Sequence, residues 1–117
     1  MTFDELEDTV IQWHKDRNLI NGSTDVIQIE KLMEEVEELQ QDIIQNTMPD
    51  QYSSMDLRDE LGDCLVVLIN IAARNHFSLY EALEYSFAKI KDRKGKMING
   101  MFVKEVDLIN ESCSAWV

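Results

Sequence analysis

The chain has 117 residues, a hydrophobic fraction of 44% and a formal net charge of −12, which indicate a single domain, 1–117, with one core. This negative charge argues against direct binding of nucleic acid or of an anionic membrane, because both need basic faces. No stretch has the length of a membrane span or the pattern of a signal peptide, and two cysteines suit a reducing cytoplasm.

Residues 2 to 18 are predicted to form a first amphipathic helix. Thr2 is a candidate N-cap because Glu5 follows three residues later, which is a capping-box pattern. Asn21-Gly22-Ser23 ends the helical pattern. The apolar stripe of this helix consists of Phe3, Leu6, Val10 and Trp13.

A second helix is predicted from Thr24 or Asp25 to about Asn46, and Met48-Pro49-Asp50 stops it. Two stripes run along it. The apolar stripe, expected to face the core, consists of Leu32, Val36, Leu39 and Ile43. The charged stripe at its edge consists of Lys31, Glu35, Glu38 and Asp42.

The charged stripe sets two carboxylates at the border of the core. Glu35 and Glu38 lie three residues apart, and a carboxylate there is costly unless something neutralises it. A divalent cation is one candidate. The alternative is a solvated helix edge in which these glutamates pair with Lys31.

The third helix is predicted from about Met55 to Asn75, and it is apolar nearly all round. Glu60 and Asp63 are set into its edge, again three residues apart, with Asn70 on the same side. One interpretation of Asn70 is a buried polar residue that bonds a neighbour across the bundle. The main apolar face consists of Leu57, Leu61, Cys64, Leu65, Leu68 and Ala72.

Antiparallel packing of the second and third helices would bring the two carboxylate pairs together. Carboxylates about 4 Å apart repel by roughly 4 kcal/mol per pair at an effective dielectric near 20. Two Mg²⁺ ions would balance four such charges. The predicted metal ligands are therefore Glu35, Glu38, Glu60 and Asp63.

A fourth helix is predicted from a Ser78 N-cap to about Arg93, which completes a helical core over 2–94. Its apolar face, expected to point inward, consists of Leu79, Leu83, Phe87 and Ile90. Near its end, basic residues crowd together: Lys89, Lys91, Arg93, Lys94 and Lys96.

Residues 95–117 are predicted to form a β-hairpin and a tail. Asn99-Gly100 between two short apolar segments is the strongest short-range hairpin signal. Residues 105 to 117 suit a short helix or a loosely ordered tail, and Trp116 suggests that the tail packs on something.

The ordered motifs resemble the MazG-type, all-α nucleoside triphosphate pyrophosphohydrolases. EEVEEL resembles that family's EExGEL, and DELGDCL resembles its EELGDxL. WHKDRNL, QIEKL and DRKGKMINGMFVKE resemble further segments of small, phage-type members. Glu37 departs from the family, which often has a small residue there.

The resemblance implies hydrolysis of a nucleoside triphosphate to the monophosphate and pyrophosphate with Mg²⁺, for which Mn²⁺ would substitute. It implies catalytic and metal-binding roles for the four acidic residues, one of which would instead orient the attacking water. It also implies substrate contacts, which are Lys31, Asn70, Lys89 and Arg93 for phosphate or sugar and Trp13 for the base. Trp13 as a core residue and the basic residues as partners of a helix C-terminus remain alternatives.

Assembly is predicted as well. A third helix that is apolar on nearly all sides needs more cover than three short neighbours provide, which predicts a homodimer with a shared four-helix core. The resemblance adds a homotetramer. Two other functions remain open, phosphoribosyl-ATP pyrophosphohydrolase and a non-enzymatic acidic helical interaction protein.

Overall fold

A computed structural model describes residues 1–47 and 57–109 of the protein. The predicted stop at Met48-Pro49-Asp50, the start of the third helix near Met55 and Trp116 lie outside them. The structure is mostly helical with a C-terminal hairpin, as predicted. Its elements are α1 (Phe3–Asp16), α2 (Asp25–Thr47), α3 (Arg58–Arg74), α4 (Leu79–Ile90), β1 (Gly95–Ile98), β2 (Met101–Lys104) and α5 (Glu105–Ile109).

The described residues fall into two compact units, one over 1–82 and one beginning at Leu83. Three predicted helix caps are confirmed in the first unit. The hydroxyls of Thr2, Thr24 and Ser78 each accept a hydrogen bond from the backbone N–H three residues later, at 3.0–3.1 Å. These caps set where α1, α2 and α4 begin.

The α2 helix packs on α3 through a face that lies closer to the charged stripe than predicted. Leu32 and Leu39 are half-buried and Glu35 is buried, whereas Val36 and Ile43 remain 48% and 43% exposed. The prediction that Val36 and Ile43 face the core is therefore wrong for the single chain. Contact with α3 runs along the edge that carries the acidic residues.

The α3 helix lies between α1 and α2 and is buried on two sides. Leu61 and Leu65, predicted to lie on its main buried face, are 51% and 42% exposed, so that prediction is wrong in the single chain. Neither α1 nor α2 covers this side of the helix. The buried residues of α3 are Cys64, Val67, Ile69, Asn70 and Ala72.

The α1 helix buries polar residues in place of its apolar stripe. Phe3, Leu6 and Trp13 are 50%, 50% and 44% exposed, whereas Glu7 and His14 are 2% and 3% exposed. The buried polar side chains have hydrogen-bond partners inside the unit, which offsets the cost of removing them from water.

Glu7 joins α1 to the start of α4. Its Oε2 accepts a hydrogen bond from the backbone N–H of Leu79 at 2.6 Å, and so satisfies a free N–H of the first turn of α4.

Replacing Glu7 by Ala should lower the free energy of unfolding by about 1–3 kcal/mol, because the partly buried N–H of Leu79 loses its acceptor. Glu7→Gln keeps an acceptor oxygen and should lose less. Urea unfolding checks this. A loss for Glu7→Gln equal to that for Glu7→Ala would show that the hydrogen bond is not what Glu7 contributes.

His14 and Asn70 form a buried pair between α1 and α3. Nε2 of His14 lies 3.0 Å from the carbonyl of Val66, and Nδ1 lies 3.2 Å from Nδ2 of Asn70, which also donates to the carbonyl of Leu19 at 3.1 Å. Because the Asn70 amide donates to Nδ1, His14 carries its proton on Nε2 and is neutral. Burial lowers the pKa of His14, and the hydrogen bond to the Val66 carbonyl partly offsets this shift by raising it.

Acid should destabilise the fold through His14. A histidine with a lowered folded pKa contributes stability that is complete above its unfolded value of 6.5 and is lost as pH falls below it. His14→Gln offers an amide in place of the ring and does not titrate. Between pH 7 and pH 5 the free energy of unfolding of the parent should fall more than that of His14→Gln. Parallel pH profiles would contradict this role.

Arg74, in the last turn of α3, holds the segment between α1 and α2. Its guanidinium donates to the carbonyls of Leu19, Ile20 and Ser23 and pairs with Asp25 at 3.0 Å. Its side chain is 14% exposed. The segment turns tightly at Gly22, where a Cβ would lie 2.5 Å from the backbone oxygen of Asn18.

The second unit contains the predicted hairpin. β1 and β2 pair antiparallel, and Asn99 and Gly100 adopt φ values of 50° and 82°, as a two-residue turn of type I′ requires. Leu83, Phe87 and Ile90 are 67%, 59% and 49% exposed. The prediction that these three residues face inward is thus wrong for the single chain.

Among the described residues, none of the helices combines the length and the hydropathy that crossing a membrane requires.

Candidate metal centre

Packing of α2 against α3 brings three predicted ligands together. Carboxylate oxygens of Glu35, Glu38 and Asp63 all lie within 4.8 Å of one another. Glu35 is 8% exposed, and the other two residues are more accessible. The cluster is therefore an acidic site with one buried wall and an open side.

The three charges oppose one another. The negative charge of Glu35 is the main cause that raises the pKa of Glu38. Burial raises the pKa of Asp63, and the charges of Asp59 and Glu35 raise it further. Ionising all three residues is unfavourable without a counter-charge, so the cluster favours a bound cation.

Glu60, the fourth predicted ligand, is directed elsewhere. Its carboxyl is hydrogen-bonded to Asp42, which raises the pKa of Glu60. The structure therefore does not bring Glu60 into the group of three, and its role as a ligand stays a prediction. Asp42, the partner of Glu60, was not among the predicted site residues. Its place in the charged stripe, one turn after Glu38, was a signal that it lies at this acidic edge of α2.

Lys31 reaches the cluster from one turn earlier on α2. Its Nζ lies 3.1 Å from Oε1 of Glu35 and 3.3 Å from Oε2 of Glu34. The pairing considered as the alternative to a metal site is thus present, within the same group of residues. It accounts for one of the three clustered negative charges.

Trp13 borders a groove of about 380 Å³ beside the cluster, and Asp63 lines the same groove. The guanidinium of Arg17 lies 4.1 Å from the ring centroid of Trp13 and donates to its carbonyl. The remaining walls are Thr9, Val10 and Val66. This groove offers one aromatic wall next to a candidate metal ligand.

The other predicted substrate contacts lie apart from this cluster or in the second unit. Asn70 is fully buried, and its Oδ1 has no partner among the described residues. That position agrees with the interpretation of Asn70 as a buried polar residue. Lys89 and Arg93 are exposed in the second unit, where Lys89 lies 5.4 Å from the ring centroid of Tyr85.

The donor set suits a hard divalent cation. Mg²⁺ prefers oxygen ligands at about 2.1 Å and keeps several waters, so it binds through a few carboxylates that leave positions for substrate phosphates. Three carboxylates from two helices, one of them buried, meet that requirement. No histidine or thiol belongs to the group, which disfavours the softer zinc-type sites.

Comparison with known proteins agrees with this chemistry. The MazG nucleotide pyrophosphohydrolase domain matches residues 24–98, which is more than half of the chain and includes all three clustered carboxylates.

The chain is also similar to a phage protein. A protein of Haemophilus phage HP1 (strain HP1c1), described as an uncharacterized 18.2 kDa protein in the rep-hol intergenic region, is 40% identical over 72 residues. The matched region covers 62% of this chain and 40% of that relative's length. No solved structure matches the chain.

Proposed function

Since this chain belongs to the MazG nucleotide pyrophosphohydrolase family, we propose that it hydrolyses a ribo- or deoxynucleoside triphosphate to the monophosphate and pyrophosphate, with Mg²⁺ as cofactor. The observation that carries the proposal is the group of three carboxylates, Glu35, Glu38 and Asp63, whose oxygens lie within 4.8 Å. The free thiol of Cys64 is consistent with a cytoplasmic location.

In this proposal the three clustered carboxylates hold the cation, and Glu60 either joins them or orients the attacking water. The bound cation would polarise the attacked phosphate and lower the pKa of a water ligand. The protein's own contribution is to fix the carboxylates on two packed helices and to leave an open side for the triphosphate.

Substrate contacts are assigned by the same proposal. Trp13 offers a ring on which a base stacks, and its groove reaches Asp63, so the base and the phosphates would lie on either side of that residue. Lys31, Lys89 and Arg93 are proposed to neutralise phosphate charge. For Asn70, which is fully buried, a substrate contact would need a local rearrangement.

A nucleotide panel tests the reaction. The purified protein is incubated with ribo- and deoxynucleoside triphosphates, modified nucleotides and phosphoribosyl-ATP in the presence of Mg²⁺ or Mn²⁺, and both products are quantified. Monophosphate and pyrophosphate in equal amounts support the proposal, and turnover of phosphoribosyl-ATP alone would assign the related activity. A folded protein that hydrolyses none of them would overturn it.

Calorimetry distinguishes the enzyme from an acidic interaction protein. The enzyme should bind Mn²⁺ or Mg²⁺, and the affinity should fall when Glu38 and Asp63 are both neutralised. An interaction protein has no need for the cation, so unchanged heats in that double variant would favour this alternative.

We also propose that the protein is at least a homodimer. The exposed apolar side chains of α2 and α3, including Val36, Ile43, Leu61 and Leu65, leave a face that a second copy would cover as a four-helix arrangement. A tetramer is compatible with the same face. Light scattering should give at least twice the 13.6 kDa mass of the chain. A monomer at micromolar concentration would contradict the assembly.

A further inference from the structure

Lys31 and the metal cluster share one carboxylate. Nζ of Lys31 forms an ion pair with Oε1 of Glu35 at 3.1 Å. A carboxylate oxygen of Glu35 also lies within 4.8 Å of carboxylate oxygens of Glu38 and Asp63. The Glu35 side chain is 10% exposed and the Lys31 side chain 52%, so the lysine reaches from solvent to a largely buried charge. In this structure Lys31 is the counter-ion of Glu35.

The geometry of this pair makes it easy to exchange. A lysine that precedes a glutamate by four residues is the less favourable order on a helix. The same ammonium lies 3.3 Å from Oε2 of Glu34, whose side chain is 67% exposed. Lys31 therefore has a second partner at hand, towards solvent, which it can keep when it leaves Glu35.

We propose that Lys31 is a resident counter-ion that the divalent cation displaces from Glu35, and that the displaced lysine then binds a phosphate of the nucleotide. The inference rests on the proposed metal site. A cation held by the three carboxylates repels an ammonium that is paired with the same Glu35 carboxylate, so the two compete. The triphosphate supplies the negative charge that the freed lysine has lost.

Affinity for Mn²⁺ tests the competition without any reaction. Lys31→Met should bind Mn²⁺ roughly 2–5-fold more tightly than the parent, the range expected when an exposed ion pair no longer competes. Lys31→Arg keeps the competing charge and should stay close to the parent. Lys15→Met is the matched control, because it removes the same charge from α1, where Lys15 lines a different cavity.

Amine labelling followed by mass spectrometry tests the displacement in the parent protein. Mn²⁺ should raise the labelling of Lys31 by freeing its ammonium, and it should leave Lys15 unchanged. With Mn²⁺ saturating, Lys31→Met should also raise KM for the triphosphate, since the proposed phosphate partner is missing.

The outcomes separate this inference from the proposed function. A parent that binds Mn²⁺ and hydrolyses nucleotides, but whose affinity is unchanged or weaker in Lys31→Met, would overturn the displacement alone. Unchanged labelling of Lys31 on addition of Mn²⁺ would do the same. A parent that binds no Mn²⁺ and hydrolyses nothing would overturn both.

Discussion

Glu38→Gln and Asp63→Asn are each expected to reduce turnover by at least about 100-fold, the upper end of what loss of a group supporting a metal ligand costs. Each substitution removes one of three clustered carboxylates and keeps the shape of the side chain. The proposed reaction needs the cation held at a fixed place relative to the triphosphate, and an amide would bind the cation far more weakly. The measurement is kcat with the best substrate of the panel at saturating Mg²⁺.

The same substitutions should leave the stability of the metal-free protein unchanged or higher. Burial and neighbouring charges raise the pKa of Asp63 above its ordinary value of 3.8. The native state therefore binds the Asp63 proton more tightly than the unfolded chain does. Stability falls as pH rises through the window between the unfolded pKa of 3.8 and the higher folded pKa. Asp63→Asn should be more stable than the parent above the window and should lose this advantage below it.

Glu30→Gln is the matched control for Glu38→Gln. Glu30 is exposed on α2 and lies outside the cluster, so this variant removes the same formal charge without changing a proposed ligand. It should keep parental turnover. Normal turnover in Glu38→Gln would remove Glu38 from the site, and loss of turnover in Glu30→Gln would show that net charge accounts for the effect.

Local signals in the sequence indicated most of the secondary structure of the described residues, although α1 ends at Asp16 and α4 at Ile90, earlier than the predicted residue 18 and Arg93. Caps at Thr2, Thr24 and Ser78 and the Asn99-Gly100 turn depend on contacts within a few residues, so their positions follow from the chain itself. The resemblance to the pyrophosphohydrolases was likewise carried by ordered local motifs, and the domain match supports it.

The buried faces were predicted less well. Hydrophobic periodicity placed Val36 and Leu61 in the core, and in the single chain both are exposed. Glu7 and His14 are buried because partners distant in sequence satisfy them, the N–H of Leu79 and the carbonyl of Val66. No count of apolar spacing detects such partners, because they appear only when helices pack.

The site was predicted in part for the same reason. Spacing of three on each of two helices placed Glu35 and Glu38 near Asp63, and the structure brings these carboxylates together, while their role as metal ligands stays a prediction. Glu60 has the same spacing from Asp63, yet its carboxyl is bonded to Asp42. Which neighbour a surface carboxyl contacts depends on the offset between the two helices, and the sequence carries no direct signal of that offset.

Arg74→Met is expected to lower the free energy of unfolding by about 2–4 kcal/mol, the largest stability effect that the described contacts indicate. The guanidinium donates to three carbonyls, those of Leu19, Ile20 and Ser23. Without the guanidinium, these partly buried carbonyl oxygens lose their charged donors, and we expect water to replace only some of the lost hydrogen bonds. Lysine should not rescue the loss fully, because one ammonium cannot match the planar fork that reaches several carbonyls.

Asp25→Asn separates these carbonyl contacts from the ion pair. Asp25 is 55% exposed, so its pair with Arg74 should contribute less than about 1 kcal/mol. Urea unfolding of the parent and both variants gives the comparison. An equal loss in Asp25→Asn and Arg74→Met would show that the ion pair, and not the carbonyl contacts, is what stabilises the segment.

The substrate groove should also respond to the loss of Arg74. The Leu19 carbonyl accepts hydrogen bonds from both Arg74 and Asn70, and Asn70 contacts His14 of α1. Loosening this carbonyl should therefore disturb α1, where Trp13 lines a groove with Asp63. Arg74→Met should therefore raise KM as well as lower stability, whereas Asp25→Asn should leave KM unchanged.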